Sequence, residues 1–197
     1  MLPLAKIATP SGAGDSHETT SSAVRFSAGF YFQSLTGLLG SPRSFFTRLQ
    51  GQEGLRTPFL FLFFSALFHT GACLTYIMEH RVLMAGIILM NALVMPLAGA
   101  AGAFLTARML IGRRVSFAGL FAVYAYAAGV TLLASWIPLF VWITEPWKWI
   151  LIALGLVRFE GLTWPRALLV LTGSLVITFL FFGSLSPALL ALKGVLT

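Results

Sequence analysis

Between residues 58 and 182 the chain is a nearly unbroken series of apolar runs, and no other feature narrows its possible folds as far. The runs cover residues 58–78, 82–110, 117–143, 147–157 and 164–182, separated by connections of only a few residues. A buried helix of a soluble domain rarely stays apolar for much more than a dozen residues, whereas a bilayer core needs roughly 20. With 58% hydrophobic and 10% charged residues, little polar surface remains to cover a soluble domain. The expected fold class is all-α: a polytopic transmembrane helix bundle of about five spans.

A formal charge of +7 in a soluble protein would point to nucleic acid. Here the basic residues flank the apolar runs instead of forming a patch, so they read as topology markers and no nucleic-acid partner is expected. With a cytoplasmic N-terminus and one crossing per run, Lys6, Arg25, Arg43, Arg48, Arg56, Arg108, Arg113, Arg114, Arg158 and Arg166 fall inside. Only Arg81, Lys148 and Lys193 fall outside. That bias has the sign that insertion produces. Residues 1–24 hold no continuous apolar stretch of the kind a cleavable leader needs.

The fourth run is the short one. Residues 147–157 would cover only about 16 Å of a core roughly 30 Å thick. Either Arg158 snorkels and the helix runs on through Phe159, or the turn at Glu145-Pro146 is embedded below the outer surface, or the segment is re-entrant; Arg158 and Arg166 favour crossing. Trp136, Trp142, Trp147 and Trp149 gather near the proposed outer boundary, where amphipathic rings settle.

Four segments are expected: a disordered cytosolic tail at 1–24, an interfacial amphipathic segment at 25–57, a five-span membrane domain at 58–183 and a short C-terminal segment at 184–197. In the second of these, Ser41 and Pro42 form a helix start. The turn that follows places Phe45, Phe46 and Leu49 on one side, to lie in the acyl boundary or to plug the underside of the bundle.

Polar residues at bilayer depth are the first places to look for chemistry. His69 and Asn91 are each 11 positions from His80, so a tight hairpin puts them at one depth. They are expected to form a pair that either glues two helices or lines a pathway for a proton or solute, glue being favoured. Ala98, Gly99, Gly102 and Ala103 make overlapping small-residue steps for close helix approach, with homodimerisation as a second use. Cys73 is the sole cysteine. No metal or cofactor site and no catalytic constellation is evident, so enzymatic activity is not expected.

Three stretches resemble the Yip-one domain family. These are Ser41-Pro42-x-x-Phe45-Phe46-x-x-Leu49, then Phe117-x-x-x-Phe121-x-Val123-x-Ala125-Tyr126, and last the segment from Trp149 to Ala167. The last carries Gly155-Leu156, Glu160-Gly161-Leu162-Thr163 and Arg166-Ala167, and is similar to the bacterial branch. The resemblance covers roughly residues 40–183 and implies five passes, a cytosolic N-terminus and residence in the bacterial inner membrane. Eukaryotic members are named for interacting with Ypt/Rab GTPases. That property does not carry over: Gly54-Leu55-Arg56-Thr57-Pro58 stands where those members have Asp-Leu-Tyr-Gly-Pro, and residues 127–130 lack the proline often found there. The expected function is a non-enzymatic protein of membrane organisation or interaction. Its partners would be membrane lipids and other membrane proteins or a second copy. The alternative is a small transporter, channel or lipid-translocating protein with a polar site at His69 and Asn91.

Overall fold

The computed structural model describes residues 27–50, 54–77, 80–112 and 115–196, with side chains followed as far as residue 180, Ile111 excepted. The tail at 1–24, Arg113 and Arg114, and Glu79 in the hairpin connection lie outside the described residues. Those described form helices only: α1 (Ala28–Gly40), α2 (Pro42–Arg48), α3 (Arg56–Cys73), α4 (Arg81–Thr106), α5 (Phe117–Ser135), α6 (Val141–Arg158) and α7 (Trp164–Leu196). A π-helical turn, Ala107–Ile111, prolongs α4 to Gly112, whose φ of 63° ends it. Among the described residues two helical stretches are long and apolar enough to cross a membrane, Arg81–Leu110 and Phe117–Ser135.

Helix α5 organises the rest. Every residue from Gly119 to Thr131 is buried, because the helix is apolar on all sides and can only be satisfied when surrounded. Helices α3, α4 and α6 pack on it, and α1 touches it as well. Close approach is set by small residues. A Cβ built on Gly129 would lie 2.7 Å from Phe61 Cε1, so α3 can reach α5 only while residue 129 has no side chain. On the other side, Gly155 of α6 faces Val123 in the same way, which gives the Gly155-Leu156 step a packing role.

The N-terminal residues form two helices where one was expected. Ser27 caps α1 by accepting a hydrogen bond from the Phe30 amide at 3.2 Å. Gly29, Gly37 and Gly40 mask α1 in the sequence, being poor helix formers. Ser41 and Pro42 open α2 as the sequence suggests, although the Ser41 side chain makes no capping bond. Of the two expected placements for α2, the structure takes the plug. Phe46 is fully buried and Leu49 nearly so. The Phe45 ring stands edge-on to Tyr126 at 5.2 Å, and Tyr126 in turn meets Phe61 at 5.0 Å. Tyr31 of α1 completes this aromatic stack against Phe61 at 5.0 Å and shares a hydrogen bond of 3.0 Å with Ser65. The apolar face of α2 is thus directed at the bundle.

Two boundaries differ from the runs read in the sequence. The run 117–143 is not one helix: α5 stops at Ser135, and Pro138, which has no amide hydrogen and disfavours helical backbone at Ile137, accounts for the break. Leu139 takes a left-handed φ of 72° in the turn. Helix α6 then begins at Val141 and carries Glu145 and Pro146 inside it, so the 11-residue run becomes an 18-residue helix, about 27 Å long. At the other end α7 continues through 184–196 as helix.

Replacing Gly129 by alanine is expected to lower the thermal midpoint in detergent, by the roughly 1–3 kcal/mol typical of overpacking. Gly86, with nothing within 4 Å of its added Cβ, should tolerate alanine or gain slightly. Equal effects at the two positions would contradict the packing described. Phe46→Ala should cost about 3–5 kcal/mol, as for a core phenylalanine; a change near zero would mean that α2 does not dock.

Candidate intramembrane cavity

Helices α4 and α6 flank α5 with at most marginal contact to one another, while α7 packs on both. The space left between them is a cavity of about 480 Å³, walled by α4, α5, α6 and α7. Helix direction sets its layering. Helices α5 and α7 run opposite to α4 and α6, so one end of the cavity is lined by Ser135, Thr144, Glu145, Lys148, Asn91 and Thr178, and the other by Tyr124, Gly99 and Ser174.

The Tyr124 and Ser174 end is closed and internally satisfied. The Ser174 hydroxyl donates to the Leu171 carbonyl at 2.8 Å, which leaves its oxygen to accept from the Tyr124 hydroxyl at 2.6 Å. Gly99 makes room for that tyrosine, since a Cβ there would lie 2.7 Å from Tyr124 Cε1. Gly102 faces the Ser174 backbone, with a Cβ only 3.1 Å from its carbonyl oxygen. Ala103 is buried and Ala98 is partly exposed. The small-residue steps of α4 therefore bring α5 and α7 against α4 within one chain.

The opposite end carries charge. Lys148 Nζ lies 2.6 Å from Glu145 Oε1, with the lysine side chain 23% exposed and the glutamate 47%. The same ammonium stands 5.2 Å from the Trp149 ring centroid. A partly exposed pair of this kind adds little stability, so its presence on the cavity wall calls for another use. Most hydroxyls nearby donate to their own helix, as Thr131 does to Ala127 at 3.1 Å. Thr178 does not: its Oγ1 is buried without a hydrogen-bond partner.

His69 and Asn91 are not brought together. Asn91 is exposed on the cavity wall, whereas the His69 ring turns to the end of α5. Its Nδ1–H donates to the Leu132 carbonyl at 3.1 Å, and Ser135 Oγ lies 3.3 Å from the same nitrogen. Nε2 is left to accept from the Cys73 thiol at 3.6 Å. The reason lies in the early end of α5. The last four carbonyls of a helix have no partner in their own helix, so neighbouring donors are needed where water does not reach them. His69 satisfies the first of them, and the Trp136 indole donates to the next, Leu133, at 3.0 Å. This role was hidden in the sequence because the run 117–143 conceals where α5 stops; Pro138 is the signal that could have revealed it.

His69→Phe should lower the thermal midpoint in detergent by the equivalent of about 1–2 kcal/mol, and His69→Gln, which retains a donor, by less. Loss of stability on replacing Asn91 by alanine, with none at residue 69, would contradict this assignment.

Residues 36–185 match the family model of the Yip1 domain. No curated protein and no solved structure is similar enough to be matched. The matched stretch is well over half the chain and takes in α2 through α6, the described part of the cavity, and Phe45, Phe61 and Tyr126 of the aromatic stack. The chain belongs to the Yip1 domain family of membrane proteins.

Proposed function

We propose that this is a non-enzymatic protein with five membrane spans, α3 to α7, and a cytoplasmic N-terminus, resident in a bacterial inner membrane. It acts by lateral association with lipids and with other membrane proteins, a second copy included. The observation that carries this reading is the outer surface. Around the buried α5, the helices turn large apolar side chains outward: Phe64 and Phe68 on α3, Val82, Ile87 and Met90 on α4, Trp142 and Ile150 on α6, Leu168 and Val176 on α7. A continuous apolar exterior of this extent fits acyl chains or the apolar face of another membrane protein.

The charges support the orientation. The Gln50 side-chain amide donates to the Arg158 carbonyl, which puts the end of α2 beside the end of α6. If successive helices cross in alternate directions, Arg48, Arg56, Arg108, Arg158 and Arg166 stand at or beside helix ends on one side, and Arg81 at a helix start on the other, while Lys148 lies within α6. The alternative, a small transporter, channel or lipid-translocating protein centred on His69 and Asn91, has the cavity in its favour. Against it, His69 is engaged with α5 and does not line that cavity.

A reporter active only outside the cytoplasm should give signal when fused at residue 197, and none when inserted at residue 113. Silence at 197, with activity there from a cytosolic reporter, would make α6 re-entrant and reduce the spans to four.

A further inference from the structure

From the cavity between α4, α5, α6 and α7 we infer a binding site for a single glycerophospholipid, held with its phosphate-bearing headgroup at Lys148 and Glu145 and an acyl chain along the interior. This rests on the membrane-spanning reading above. The volume of about 480 Å³ lies within the range of roughly 300–1,000 Å³ usual for ligand pockets.

Three layers of chemistry on the wall match the three parts of such a lipid. The outermost is the ion pair on the second and third turns of α6. Lys148 uses one of its three ammonium protons on Glu145 at 2.6 Å and has the others for a phosphate oxygen. The second oxygen of Glu145 can accept from a headgroup amine. A pair that contributes little to folding suits a zwitterionic ligand, whose charges it complements with opposite signs. The middle layer is neutral. Thr178 holds the unpartnered hydroxyl, and Asn91 on α4 offers two amide protons; both suit the ester carbonyls that follow a phosphate in a glycerolipid. The innermost layer, Met95, Pro96, Ile152 and Leu175, is apolar, and the Tyr124–Ser174 bond at 2.6 Å leaves no unsatisfied donor there.

The order of these layers follows the chain. On α6, Lys148 precedes Ile152 by one turn, and on α4, Asn91 precedes Pro96 by more than one turn, in the same direction. On the antiparallel α7, Thr178 correspondingly follows Ser174 and Leu175. Phe179 of α7, at 77% exposure, stands on the cavity wall and extends its apolar lining to the protein exterior.

The test is native mass spectrometry of the full chain released from detergent with added phosphatidylethanolamine. One lipid per chain is expected to be retained. Lys148→Gln, which removes the charge, and Ala92→Leu, which fills the cavity from α4, should each weaken retention about tenfold. Diacylglycerol, without phosphate, should be retained far less, and phosphoethanolamine, without chains, should not compete. Unchanged retention in Lys148→Gln and Ala92→Leu would overturn the site in favour of lipid bound around the exterior. Retention of diacylglycerol equal to that of the phospholipid would overturn the headgroup assignment, and competition by free phosphoethanolamine would make this a site for soluble anions. If Ala92→Leu does not fold, Lys148→Gln and the two competitors decide the matter alone. The orientation given by the reporters at residues 113 and 197 does not depend on any of these results, so the lipid site can fail while the spanning reading stands.

Discussion

The last carbonyls of a helix have no partner within it, and the need to supply one shapes the bundle around α5. Pro138 stops α5 at Ser135, short of the length its apolar run would allow. The exposed carbonyls of Leu132 and Leu133 are then taken by His69 of α3 and by the Trp136 indole. A partly buried histidine is costly unless its nitrogens are engaged, and here both are, through the Leu132 carbonyl and the Cys73 thiol. The residue most suggestive of proton movement is thereby explained as a helix cap supplied from a neighbouring span.

The same early stop creates the cavity. Because α5 turns back at residues 136–140, α6 starts before the charged residues and carries Glu145, Lys148 and Trp149 down beside α5. Had the run 117–143 formed one helix, Glu145 would have sat in the connection to the next run. Close packing at Gly99 and Gly102 on α4, and at Gly129 and Gly155 beside α5, holds the remaining crossings tight. The cavity lies where α4 and α6 have little common interface. The aromatic stack of Tyr31, Phe61, Phe45 and Tyr126 fixes the opposite side of α5 to α1 and α2.

The sequence made some of this legible and hid the rest for physical reasons. Apolar runs report burial in protein or lipid without distinguishing them, so helix content could be read from residues 58–182 while the position of α5 at the centre could not. The small residues at 98–103 announced close approach, but their partners, Tyr124 and Ser174, are distant in the chain. The hairpin geometry of His69 and Asn91 constrains depth and leaves rotation about each helix axis free, and rotation is what separates them. For Phe45, Phe46 and Leu49, one apolar face served acyl chains and a protein groove equally well, and only the position of Tyr126 decides for the groove.

The most direct test of the central position of α5 is carbene footprinting by a diazirine-bearing phospholipid in reconstituted membranes, with labelled residues located by mass spectrometry. The structure predicts labelling of α4 at Val82, Leu83, Ile87 and Met90, which are all exposed, and none across residues 119–131 of α5. Labelling of α5 at helical spacing, comparable to that of α4, would place α5 on the lipid boundary and contradict the account.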